Sequence, residues 1–129
     1  MAKETITRSK EDYLEAILIR INAAGACRVT DLAQQMGYSK ASASVALKKL
    51  EEDKCIIRDD WRILLTDKGR AIAEHVYERH KFFVEWFEKL SISEANSEKD
   101  ACLIEHVLSE ETYEKLKEYI AASSAAAEG

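Results

Sequence analysis

No proline interrupts this chain, and nowhere does it carry a run of about 18 apolar residues of the kind that crosses a bilayer. The second absence excludes a membrane-spanning helix. The opening stretch, Met1 to Lys10, is polar and charged and lacks the apolar centre of a secretory signal. The cytoplasm is therefore the expected location. Cysteine is scarce as well: Cys27, Cys55 and Cys102 are far apart and odd in number, which excludes a disulfide framework and leaves reduced thiols as the default. Cys27 and Cys55 sit beside apolar residues at element ends and read as packing residues. Internal repeats and long linkers are missing too.

What is present fits one compact core, or a small DNA-binding module sharing a core with a dimerisation module, in 129 residues. The net charge of −5 hides an asymmetry. Residues 1–70 hold 13 lysines and arginines against 11 acids, a net +2, whereas residues 71–129 hold 6 against 13, a net −7. A mildly basic front and an acidic back suit nucleic acid on one side and a cation on the other.

Helical periodicity dominates. Leu14, Ile17, Leu18 and Ile21 form one stripe, with Ser9 as the expected N-cap and Gly25 as the stop. Val29 to Gly37 reads as a short helix capped by Thr30. Ser39 is placed to cap a third helix whose buried stripe is Ala43, Ala46, Leu47 and Leu50. Two short β-like runs follow, Cys55–Arg58 and Arg62–Leu65, with Asp59-Asp60-Trp61 as the hairpin tip. A long helix is expected from Asp67 to about Leu90, another from Glu94 to Leu108, and a last one after Ser109. The tail from Ala121 onward is expected to fray.

Helix, short helix, glycine-containing turn, polar helix and hairpin is the order of a winged helix-turn-helix, whose second turn-unit helix offers its N-terminal side chains to the major groove. Here that end reads Ser39-Lys40-Ala41-Ser42-Ala43-Ser44-Val45. Its hydroxyls can bond phosphates or bases, and Ala41 and Val45 can meet a thymine methyl. Lys48 and Lys49 extend the basic edge, and Arg58 and Arg62 flank the wing tip. The plainer reading, an exposed helix with solvated lysines, explains that segment alone but not the order of the elements.

The acidic half carries Cys102, Glu105 and His106 at i, i+3 and i+4, a spacing that stacks thiolate, carboxylate and imidazole on one helical face. Such a set suits a first-row transition metal rather than calcium or magnesium. Thiol and imidazole must each release a proton to bind one. Asp12 and Glu15 form a second i, i+3 pair, and His80 adds an imidazole on the long helix; His75 reads as structural. Taken singly, each of these residues has an ordinary explanation as packing or as a solvated surface group.

With Glu11-Asp12-Tyr13-Leu14-Glu15, the segment Val29 to Leu50, Leu65-Thr66-Asp67-Lys68-Gly69-Arg70, Arg79-His80 and Cys102-Leu103-Ile104-Glu105-His106-Val107-Leu108-Ser109, the chain resembles the diphtheria toxin repressor family, in its shorter manganese-regulator branch. The likeness covers about residues 8–120. It implies metal ligands at Asp12, Glu15, His80, Cys102, Glu105 and His106. Asp12 and Glu15 resemble the manganese branch and Cys102 the iron-responsive one, so Mn²⁺ and Fe²⁺ both stay open, with one or two ions per subunit. Val84 stands where some relatives place an acidic ligand, and the chain ends without their SH3-like third domain.

The resulting expectation is a mainly α protein. Residues 1–70 would be a winged helix-turn-helix DNA-binding domain of three helices and a β-hairpin wing, and residues 71–129 an all-α dimerisation and metal-binding domain. It would act as a metal-activated homodimeric repressor on a palindromic double-stranded operator. Part of the aromatic run Tyr77, Phe82, Phe83, Trp86 and Phe87 is expected at the dimer interface. A metal-independent winged-helix regulator sensing another ligand is the alternative. A small metalloenzyme ranks last, because no further catalytic signature accompanies the donors.

Overall fold

The computed structural model describes the backbone of residues 2–128 and the side chains of residues 10–123. Six helices and one antiparallel hairpin follow one another as α1 (Ala2–Ala24), α2 (Val29–Met36), α3 (Lys40–Glu52), β1 (Ile56–Asp59), β2 (Arg62–Leu65), α4 (Asp67–Lys89), α5 (Glu94–Ile104) and α6 (Glu110–Glu128). The fold is mainly α, with the hairpin placed directly after the helix-turn-helix. None of the helices is long and apolar enough to cross a membrane, among the described residues.

The chain divides into two compact units, residues 1–78 and 79–129, and the division falls inside α4. The first unit is the winged helix. Helix α1 starts well before Ser9, because nothing from residue 2 to 9 breaks a helix and alanine, lysine and glutamate favour one. Ser9 therefore lies within the helix rather than capping it, and its side chain is outside the described residues. Thr30 is not a cap either. The amide of Ile63 donates to the Cys27 carbonyl at 2.9 Å, so the chain stays extended through Arg28 (φ −109°, ψ 158°) and the helix begins at Val29. Gly37 does end α2 in the left-handed region (φ 72°), returning its N–H to the last carbonyls. Ser39 does cap α3, its hydroxyl accepting from the Ser42 amide at 3.1 Å.

The hairpin pairs Ile56 with Leu65 and Asp59 with Arg62; the first strand starts one residue later than the sequence pattern indicates, and the second spans Arg62–Leu65 as expected. Cys55 is taken up as a joint: its amide donates to Leu50 and its carbonyl accepts from Thr66. Thr66 then caps α4 by accepting from the Gly69 amide at 3.1 Å while its own hydroxyl donates to the Lys54 carbonyl at 2.7 Å. A Cβ on Gly69 would sit 1.9 Å from the Cys55 carbonyl oxygen, so only glycine fits there. Leu14, Ile17, Leu18, Leu32, Ala43, Leu47, Ile56, Ile63 and Ala73 fill the interior of this unit.

The second unit packs the end of α4 with α5 and α6. Phe83, Ala101 and Tyr113 are its buried apolar centre, ringed by Phe82, Trp86, Phe87, Ile104 and Leu116. The Phe82 and Tyr113 rings meet edge-on at 5.5 Å. Four of the five aromatics of α4 thus serve the core of their own unit, and Tyr77 packs in the first unit's core instead. Two helix ends differ from the sequence expectation. Helix α5 stops at Ile104 rather than Leu108, since the carbonyls of Glu105 and Leu108 turn to Arg79 and Ser109 restarts the chain as the cap of α6. The tail is helical: α6 runs to Glu128, as its alanine-rich end favours.

Candidate metal centre and nucleic-acid face

Helix α5 ends at Ile104, but Glu105 keeps helical backbone (φ −60°, ψ −23°) with its amide on the Ala101 carbonyl, and its carboxylate still converges with Cys102. Cys102 remains on α5 and is exposed, while Glu105 and His106 lie in the turn after it, Glu105 with 1% exposure. The donors that converge within this unit are a His80 ring nitrogen, Cys102 Sγ and a Glu105 carboxylate oxygen, all within 4.8 Å of one another. Thiolate, imidazole and carboxylate at that spacing form a donor set suited to a first-row transition ion. His106 belongs to the other side of Glu105: its Nε2 stands 3.3 Å from Glu105 Oε1. Glu105 is therefore the residue common to both histidines.

His80 donates from Nδ1 to Glu105 Oε2 and from Nε2 to Glu98 Oε2, each at 2.8 Å. Sequence reasoning passed over Glu98, although it lies four residues before Cys102 and so on the same helical face. Side-chain hydrogen bonding to Cys102, and next to Glu105, raises the His80 imidazole from its ordinary 6.5 to about 11, against the effect of burial. A proton thus occupies the imidazole where a cation would bind. Burial pushes the Glu105 carboxyl up, but its contacts with His106 and His80 outweigh that and hold it below its ordinary value. A buried carboxylate that stays charged needs cationic partners.

Asp12 and Glu15 project from α1 one turn apart, Asp12 half-buried and Glu15 buried, in the first unit. Cys27 and Cys55 are fully buried. Burial pushes the Cys27 thiol up to about 11, with Asp31 adding to the rise, so it stays protonated and inert.

On the other face of function, Ser39, Lys40, Ala41, Ser42, Ser44, Lys48 and Lys49 are all exposed along α3, and Arg58 and Arg62 are exposed on the wing. Val45 keeps 63% of its surface open, a high value for a valine on a helix whose opposite side is core. Ser39 also donates to Ser42 Oγ at 3.0 Å, so its cap role occupies part of its hydrogen-bonding capacity. Arg28 escapes the sequence reading here, and Trp61 figures in it only as part of the hairpin tip. Trp61 at the wing tip is half-exposed and lies under the guanidinium of Arg28 at 4.4 Å and of Arg62 at 5.9 Å, which keeps two positive charges beside the tip.

Comparison with known proteins places these units. Residues 5–57 match the N-terminal DNA-binding domain of iron-dependent repressors, and residues 66–125 match their metal-binding and dimerisation domain. The HTH-type transcriptional regulator MntR of Geobacillus kaustophilus (strain HTA426) is 35% identical over 104 residues, covering 80% of this chain and 74% of that protein. Among solved structures, the manganese regulator SloR superposes with a TM-score of 0.75 at 26% identity. The metal-dependent transcriptional regulator MtsR gives 0.76 at 26%. Each covers 87% of this chain, which in turn spans 53%, about half, of the length of each.

Proposed function

The chain belongs to the iron-dependent repressor family of transcriptional regulators, and from that premise we propose that it is a metal-responsive DNA-binding repressor, acting as a homodimer with Mn²⁺ or Fe²⁺ as its activating ion. The observation that carries this reading is the convergence of His80, Cys102 and Glu105 in a chain whose α3 and wing present exposed serines, lysines and arginines.

In this reading residues 1–70 form the DNA-binding domain and residues 71–129 the dimerisation and metal-binding domain. His80, Cys102 and Glu105 hold one ion. Asp12, Glu15 and His106 are the further ligands that the family likeness implies, for one or two ions per subunit. A bound cation supplies positive charge that compensates the carboxylates and replaces the His80 proton. Ser39, Lys40, Ala41, Ser42, Ser44, Lys48 and Lys49 meet the major groove, and Arg58 and Arg62 meet the backbone beside it. An ion that favours the DNA-competent arrangement shifts the population toward it without making any DNA contact itself. Two copies related by a two-fold axis call for a palindromic operator. The outward Leu103 and Val107, four residues apart, and Leu90 supply apolar surface for the dimer. The free thiols suit the reducing cytoplasm.

The test is selection of duplexes from a random library in Mn²⁺, followed by anisotropy titration with Mn²⁺ and with chelator. The expected result is a palindromic consensus bound at least about a hundredfold more tightly with metal, equivalent to about 2.8 kcal/mol of coupling. Equal affinity in chelator overturns the reading and leaves a metal-independent regulator.

A further inference from the structure

Arg79 stands next to His80 on α4, and the two grip the same residue from opposite ends. His80 Nδ1 donates to the Glu105 carboxylate. Arg79 Nη1 donates to the Glu105 backbone carbonyl at 3.1 Å and to the Leu108 carbonyl at 2.8 Å. Its Nη2 donates to Glu110 Oε2 at 2.9 Å in the first turn of α6, and its guanidinium lies 4.8 Å from the Tyr113 ring centre. Arg79 keeps only 6% of its surface exposed.

The end of α5 makes such a partner necessary. Helix C-termini leave carbonyls without intrahelical donors, and here the chain must turn at once into α6 while holding Glu105 and His106 in place. A planar guanidinium can bond two carbonyls and a carboxylate together, and a lysine ammonium cannot reproduce that fork. Buried arginines are rare unless engaged; this one leaves Nε without a partner but commits both terminal nitrogens to the 105–110 segment, which carries Glu105 and His106.

We infer that Arg79 is a positioning residue for the metal centre: it fixes the 105–108 turn so that the Glu105 carboxylate is held ready for an ion before any ion arrives. The same bonds tie that turn to the start of α6, so the order of the turn and the order of α6 rise together. The inference rests on the metal-responsive reading above and adds a residue that touches no ion. Groups of this kind around a metal site are worth about ten- to a hundredfold in affinity.

Three variants of the full chain test it: Arg79→Lys, Arg79→Met and Glu110→Gln. Mn²⁺ affinity is read from the electron paramagnetic resonance of the free ion, and the turn itself from amide hydrogen exchange at Glu105 and Val107 in the metal-free protein. Expected are exchange about tenfold faster and Mn²⁺ affinity at least about tenfold weaker in both Arg79 variants. Glu110→Gln should give a loss of about threefold or less, because it leaves both carbonyl bonds intact. Should Arg79→Met fail to fold, Arg79→Lys and Glu110→Gln carry the decision. Faster exchange with unchanged Mn²⁺ affinity overturns the inference, since the fork then only stabilises the fold. Unchanged exchange overturns it as well. A wild-type chain that takes up no Mn²⁺ instead refutes the metal reading itself, and the two failures are thereby separated.

Discussion

The first unit is held together almost wholly by apolar side chains, whereas the second sets Arg79, Ser97 and Glu105 at the heart of a smaller aromatic cluster. Apolar burial contributes about 25 cal/mol per Å² and responds to neither protons nor ions. A polar interior is costly wherever a group lacks a partner, and most of these groups have one, Arg79 Nε excepted. On the proposed reading the winged helix is chiefly the scaffold, and the second unit is the part whose state would depend on an ion at His80, Cys102 and Glu105.

The largest effect expected from breaking this contrast is on the scaffold side. Leu47→Ala removes a fully buried side chain from the first unit and should cost about 3 kcal/mol, a fall of about 10 °C in melting temperature. Mn²⁺ affinity measured below the melting range should stay within about twofold. A comparable loss of metal affinity would show that the two units do not divide the work in this way.

On the responsive side, Glu105→Gln should weaken Mn²⁺ about a hundredfold, or about 2.8 kcal/mol. Its melting temperature in chelator should change less than that of Leu47→Ala. Acid sharpens the point. The Glu105 carboxyl is held below its ordinary 4.5, so its stabilising contribution is present above that value and is lost as pH falls through the lower folded one. Urea midpoints at pH 7 and pH 4 should therefore converge in the glutamine variant relative to wild type.

A smaller effect is expected from His80. Its pKa is raised to about 11, chiefly by Cys102 and then by Glu105, so its contribution to the metal-free fold is complete below 6.5 and disappears only as pH rises through about 11. Around neutrality the imidazole carries a proton that an incoming ion must expel. Calorimetric titration with Mn²⁺ in two buffers of different ionisation enthalpy should register about one proton released from this residue per ion. His80→Gln should lose that proton.

Much of this was legible in the order of residues. The apolar stripes of α1 and α3, the Ser39 cap and the Gly37 stop are local signals, and they appear where spacing puts them. The donor types were readable too, but their grouping was not. Periodicity carries α5 on to Leu108, because nothing local announces that Arg79, 26 residues before Glu105, will take its carbonyl. The chain turns at Glu105 and His106 instead of continuing as helix, and His80, from another helix, joins Cys102 and Glu105. The cap of α2 was misassigned for the same kind of reason: the Cys27 carbonyl is engaged by Ile63, across the chain, and the helix begins at Val29. Gly69 likewise reads as an unremarkable helix residue until the Cys55 carbonyl beneath it is seen.

The shared ligation of one ion by His80, Cys102 and Glu105 is tested most directly with Co²⁺ as a spectroscopic substitute under anaerobic conditions. Near-ultraviolet absorption from thiolate-to-cobalt charge transfer should appear in the wild type and vanish in Cys102→Ser, with Cys27 and Cys55 unchanged in both. A Co²⁺-loaded wild type without that absorption, or a Cys102→Ser protein that keeps it, would contradict the account.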